Sequence, residues 1–154
     1  MCMKEKEMMT GVPINILTMM GHAMFHAQKI ELKLKRVIFI RHEMGYSKTF
    51  DKDRSKIKRL ALEGIIQEVK KYGVFTDKGI ELLEYLKDNR NYVSHECFDG
   101  LGVDELEDKN KEMEIFEELR DMSQKFFKAY DDVWHIWKKH ENDYEFFKMT
   151  KEGQ

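Results

Sequence analysis

The fold class turns on "IFEELRDMSQKFFKAYDDVWHIW", residues 115–137. Ile115, Leu119, Met122, Phe126, Ala129, Val133 and Trp137 recur at four- and three-residue steps. That spacing lays apolar side chains along one face of an α-helix, whereas a half-buried strand would alternate at every second residue. Phe116, Phe127, Tyr130 and Trp134 broaden the stripe, so part of its width is available for a dimer interface. A chain with one such helix must bury it against something of the same kind.

Towards the N-terminus, Pro13 fits the first turn of a long first helix. Apolar positions recur there at Ile14, Leu17, Met20, Met24, Ala27, Leu32 and Ile38, and the helix is predicted to end around Met44 and Gly45. "GYSKTFDKDRS" reads as a loop, with Ser55 as a cap for the second helix. That second helix takes Ile57, Leu60, Ala61, Ile65, Glu68 and Val69 and stops at "KYGVF", where Gly73 can adopt a left-handed cap. Thr76 or Asp77 starts a third helix carrying Ile80, Leu83 and Leu86, then Arg90 to His95. "FDGLGVDELEDKN" is an acidic loop. The expected fold is all-α: an antiparallel bundle of four main helices in one domain over 12–150, preceded by a flexible segment over 1–11.

Composition agrees. The chain has 154 residues, enough for a single core. Its one proline and nine glycines are too few to punctuate a many-stranded β protein. With 27 basic and 29 acidic residues the net charge is -2, so nucleic-acid binding needs a local basic groove rather than global attraction. Cys2 and Cys97 form neither a metal spacing nor a disulfide framework, and such thiols suit a reducing cytoplasm. No apolar run approaches the roughly 18 residues a bilayer span needs, and "MCMKEKEMMTGVP" is not followed by a signal-peptide apolar core. Neither G-x-G-x-x-G nor a P-loop appears, so no cofactor is expected.

One stretch is not ordinary helix surface: "DNRNYVSHECF", residues 88–98. At about 100° per residue, Arg90 and His95 lie roughly 140° apart on a regular helix. Asn91 and His95 are i,i+4 and face together. For Arg90 and His95 to share a target, the helix must be distorted between them, or two copies of the chain must form a common cleft. A histidine titrating near neutrality can act as general base or acid, and an arginine offers a permanent positive fork for phosphate oxygens.

"RNYVSH", residues 90–95, resembles the R-x(4-6)-H motif of the HEPN domain superfamily, whose second position is typically Asn, Asp or His. Chain length, helix content and motif position resemble that family as well. The resemblance implies a helical homodimer and metal-independent RNA cleavage, in which the ribose 2'-hydroxyl attacks the adjacent phosphorus. It assigns proton transfer or 2'-hydroxyl orientation to His95, phosphate binding to Arg90, and orientation of His95 or RNA contact to Asn91. It also implies a toxin or a phage- and stress-response role, held in check by an antitoxin or regulatory protein. One branch of the family carries a tyrosine two residues beyond the histidine, a nucleotidylation site; here that position is Cys97. The residues also admit a structural reading, with Arg90 paired to Glu84, Asp88 or Glu96 and His95 capping the helix. A non-catalytic module of the same fold, binding nucleotide, RNA or protein, and an assembly protein are the alternatives.

Other residues carry weaker signals. His22 and His26 have the i,i+4 spacing of metal-sharing imidazoles but no third ligand, so no metal is expected. Arg41 and His42 suit the end of a helix, where cations oppose the dipole, although a site-lining role also fits. Cys97 with His95 makes a nucleophile pair only on an irregular backbone. Lys52, Arg54, Lys56, Lys58 and Arg59, with Lys70 and Lys71, are the best local candidates for phosphate contacts, and read equally well as a solvated helix face.

Overall fold

The computed structural model describes residues 14–46, 54–93 and 109–153, and every regular element among them is helical. In order they are α1 (Ile14–Glu43), α2 (Arg54–Arg59), α3 (Leu62–Lys70), α4 (Asp77–Asn91) and α5 (Lys109–Glu152). The fold class is therefore all-α. Pro13, the segment over 1–11 and most of the acidic loop lie outside the described residues. No described helix is long and apolar enough to cross a membrane.

On α5, Leu119, Met122, Phe126, Ala129 and Val133 are buried as their spacing predicts, and the same stepping continues to His140. The α1 face is Ile16, Met20, Ala23, Ala27, Ile30, Leu34, Val37, Ile38 and Ile40. Leu32, expected in that stripe, is instead 62% exposed. The reason is phase: five residues beyond Ala27 turn about 140° off the face, whereas Ile30 and Leu34 keep the three- and four-residue steps.

The two long helices run parallel. His26 packs against Phe127 and Tyr130, Lys33 over Trp137, Arg36 on Glu141 and Phe39 on Tyr144, so residue numbers rise together along both helices. Antiparallel neighbours are found instead at α3–α4, joined by Lys70 and Glu84, and at α4–α5, where Tyr85 meets Phe126. The cause lies in α2, which brings the chain back along α1 until the Lys58 carbonyl accepts from Lys35 Nζ at 2.8 Å. The next helix, α3, therefore sets off in the direction of α1, and Tyr72 beyond its end reaches the Arg41 guanidinium.

The predicted second helix is two. At Ala61 the backbone is extended (φ -72°, ψ 159°). An unbroken helix would hold Ile57 and Leu62 about 140° apart, and the break resets the phase so that both are buried. Ser55 lies inside α2 rather than ahead of it. Gly73 takes the left-handed conformation (φ 66°) that ends the α3 turn. Thr76 caps α4, its Oγ1 accepting from the Gly79 N–H at 3.0 Å. Beyond Asn91 the backbone widens into a π-type turn at Tyr92 and Val93.

Candidate functional site

Arg90 closes α4 and reaches across to α1, where its Nη1 lies 2.9 Å from Glu31 Oε2. Glu31 is shared: its other carboxylate oxygen is 3.2 Å from Lys35 Nζ. Lys35 in turn donates to the Lys58 carbonyl on α2. A continuous line of polar contacts thus runs from the motif arginine to the basic helix. Two carboxylates on the arginine's own helix are engaged elsewhere. Glu84 accepts from Lys70 and Lys87, which hold its carboxyl below the usual carboxylate range, and Asp88 lies 3.9 Å from Lys87.

The basic cluster divides. Lys56, Lys58 and Arg59 are exposed on α2, either side of the buried Ile57. Arg54 opens that helix, and Lys52 lies outside the described residues. Lys70 is bonded to Glu84, and Lys71 sits 3.2 Å from the carboxylate of buried Glu68, which also accepts from Tyr72 Oη at 3.1 Å. The charges of this cluster open to a polyanion among the described side chains are therefore those of Lys56, Lys58 and Arg59, beside Lys35.

Asn91 is the last α-helical residue and is exposed. His95 and Cys97 lie outside the described residues. What is described between Arg90 and His95 is the π-type turn at Tyr92 and Val93, with Val93 fully buried. A π turn closes its ring over five residues instead of four, so residues five apart come to lie one above the other.

His22 and His26 lie beside Ser123, Gln124, Phe127 and Lys128 of α5. His26 meets Phe25 and Phe127 edge-on and Tyr130 at a tilt, and burial, followed by the nearby His22, lowers its pKa. No group of three His, Cys, Asp or Glu side chains at metal-holding distance occurs among the described residues.

Arg41 and His140 form a second cluster, which residue type alone did not disclose. Arg41 Nη1 lies 3.4 Å from His140 Nε2, and His140 Nδ1 lies 2.7 Å from the Ile136 carbonyl. The carbonyl requires a proton on Nδ1, so Nε2 accepts from the guanidinium and the ring is neutral. Burial is the first cause of a lowered His140 pKa, with the adjacent Arg41 cation acting in the same direction. Both residues occupy steps at which their helices' apolar stripes continue, Arg41 after Leu34 and Val37, and His140 after Val133 and Trp137. A polar residue on a buried phase was the signal.

No protein-family model, curated protein or solved structure matches the chain.

Proposed function

We propose that this chain is a HEPN-type, metal-independent endoribonuclease acting as a homodimeric bundle of four main helices. The observation that supports the reading is the end of α4 inside the motif: Arg90 sits in its last turn, and the regular α-helix gives way to a π-type turn at Tyr92 and Val93. The position of Arg90 supports it, since a fork anchored on Glu31 is oriented before substrate arrives. An incoming phosphate competes for that fork, while Lys35 continues to neutralise Glu31.

In this reaction His95 removes the ribose 2'-hydroxyl proton and the 2'-oxygen attacks the adjacent phosphorus. Arg90 stabilises the charge gathering on the non-bridging oxygens. The bond from phosphorus to the 5'-oxygen breaks, and that oxygen takes up a proton as it leaves. The products are a 2',3'-cyclic phosphate and a 5'-hydroxyl. Asn91 orients the imidazole or contacts the strand, since its amide donates and accepts. Lys56, Lys58 and Arg59 hold the RNA backbone on α2, together with Lys52 and Arg54 of the same run. A second copy would cover the exposed Phe25 and Leu32 of α1 and Phe127 and Trp134 of α5, each pair seven residues apart on one helix face.

A second reading is favoured by the Arg90–Glu31 ion pair itself. An arginine already satisfied by a carboxylate fits a non-catalytic module that binds nucleotide, RNA or a protein partner. Single-stranded RNA incubated with the protein in EDTA separates the two. Fragments ending in cyclic phosphate that disappear with Arg90→Ala support the nuclease. RNA binding without any fragment supports the module.

A further inference from the structure

About three helical turns beyond Glu31 lies a pocket of about 430 Å³ between the C-terminal end of α1, the α3–α4 turn and α5. Its volume falls within the range of small-molecule sites. Arg41, Tyr46, Gly73, Lys139, His140 and Asp143 are among the residues that line it. We propose that this pocket binds a phosphate monoester, with Arg41 and Lys139 holding the phosphate group. The assignment is independent of the nuclease reading, because it uses none of the residues of that site.

Arg41 carries the argument. Its Nε is buried and has no acceptor among the described residues. Its guanidinium lies 4.3 Å from the centre of the Tyr72 ring and 5.4 Å from that of Tyr46, and its Nη1 is tethered to His140 Nε2. The fork is thus held in plane and direction where Arg41 lines the pocket. An oxyanion is the acceptor that matches a guanidinium in both charge and geometry. His140 acts as a positioning residue: it is 9% exposed, and it accepts from Arg41 instead of competing for the anion.

The balance of charge agrees. Arg41 and Lys139 face a single carboxylate, Asp143, so the pocket is net positive. A carboxylate at the rim also explains why the ligand should be an ester rather than free phosphate. It can accept from a hydroxyl on the esterified group, a contact that free phosphate has no such group to make. Tyr46, 66% exposed, offers a free ring face on which a planar substituent can stack.

Calorimetric titration with adenosine monophosphate, inorganic phosphate and adenosine tests this, with thermal melting as a second readout. Saturable binding of the monophosphate is expected, weaker binding of inorganic phosphate, and none of adenosine. Arg41→Lys, which keeps the charge but loses the fork, should weaken monophosphate binding about tenfold or more. Lys139 is exposed, so Lys139→Ala keeps the test readable if the Arg41 variant does not fold; a several-fold loss is expected. Absence of monophosphate binding at millimolar concentration, or unchanged affinity in the Lys139→Ala variant, overturns the proposal. Inorganic phosphate binding as tightly as the monophosphate overturns the ester assignment.

Discussion

Among single residues, Arg90 illustrates what spacing can and cannot disclose. Its chemistry was legible in "RNYVSH", but its partner was not. Glu31 lies 59 positions away in sequence (90 minus 31), and no local rule links a residue on the first helix to one at the end of the fourth. Because the pair is partly exposed, it contributes less than about 1 kcal/mol to stability. In the proposed nuclease its value lies in aim. Glu31→Gln should therefore leave the melting temperature nearly unchanged while reducing RNA cleavage several-fold. Equal cleavage by Glu31→Gln and wild type, measured on one RNA, would remove Glu31 from the site. Arg41 and His140 mark the opposite case: the phase of their helices exposed them, yet residue type alone suggested a simple helix-end role for the arginine. The geometry that joins them spans α1 and α5, and depends on the parallel packing of two helices that brings together residues 99 apart.

Among the elements, the helical class and most helix ends were readable because the physics is local. Gly73 needs a positive φ, and Thr76 presents an oxygen to the first turn of α4. Gly73→Ala should cost about 1 kcal/mol or more through the left-handed backbone, and Thr76→Ala about 1 kcal/mol through the lost cap. Urea unfolding midpoints would measure both. Neither loss should occur in a Met149→Ala control, because that side chain faces water. The break at Leu60 and Ala61 was not readable, since neither residue is a helix breaker. It exists because burying both Ile57 and Leu62 is worth more than one continuous helix, and that gain is tertiary. The π-type turn at Tyr92 and Val93 belongs to the same class. Motif spacing required a distortion or a shared cleft, but could not choose between them.

For the whole molecule, the direction of α1 relative to α5 was misjudged because short connections were read as simple reversals. The return along α1 made by α2 changes the parity of everything after it. Ties between the long helices also set the response to pH. Arg36 donates to both carboxylate oxygens of Glu141, at 2.6 and 3.2 Å, and holds that carboxyl below its ordinary range. His26 and His140 are held below theirs, chiefly by burial. In the unfolded chain a histidine titrates near 6.5, so below that pH the unfolded state takes up protons that the folded state resists. Stability should therefore be highest above about pH 6.5 and fall as the pH drops towards the folded pKa of these histidines. A second loss should begin below about pH 4.5, as Glu141 gives up its pairing. Denaturation midpoints between pH 8 and pH 4 would reveal the two stages, and His140→Gln should flatten the first. A midpoint that rises on acidification to pH 5.5 would contradict the lowered pKa of both rings.

If Arg90 and His95 cut RNA together, the chemistry is written in the ends of the fragments. Wild type and His95→Ala are incubated with the same single-stranded RNA in EDTA, and the termini are read by mass. Wild type should leave 2',3'-cyclic phosphate and 5'-hydroxyl ends, and His95→Ala should leave intact RNA that is still bound. Cleavage that persists unchanged in His95→Ala would contradict a shared role for the two residues.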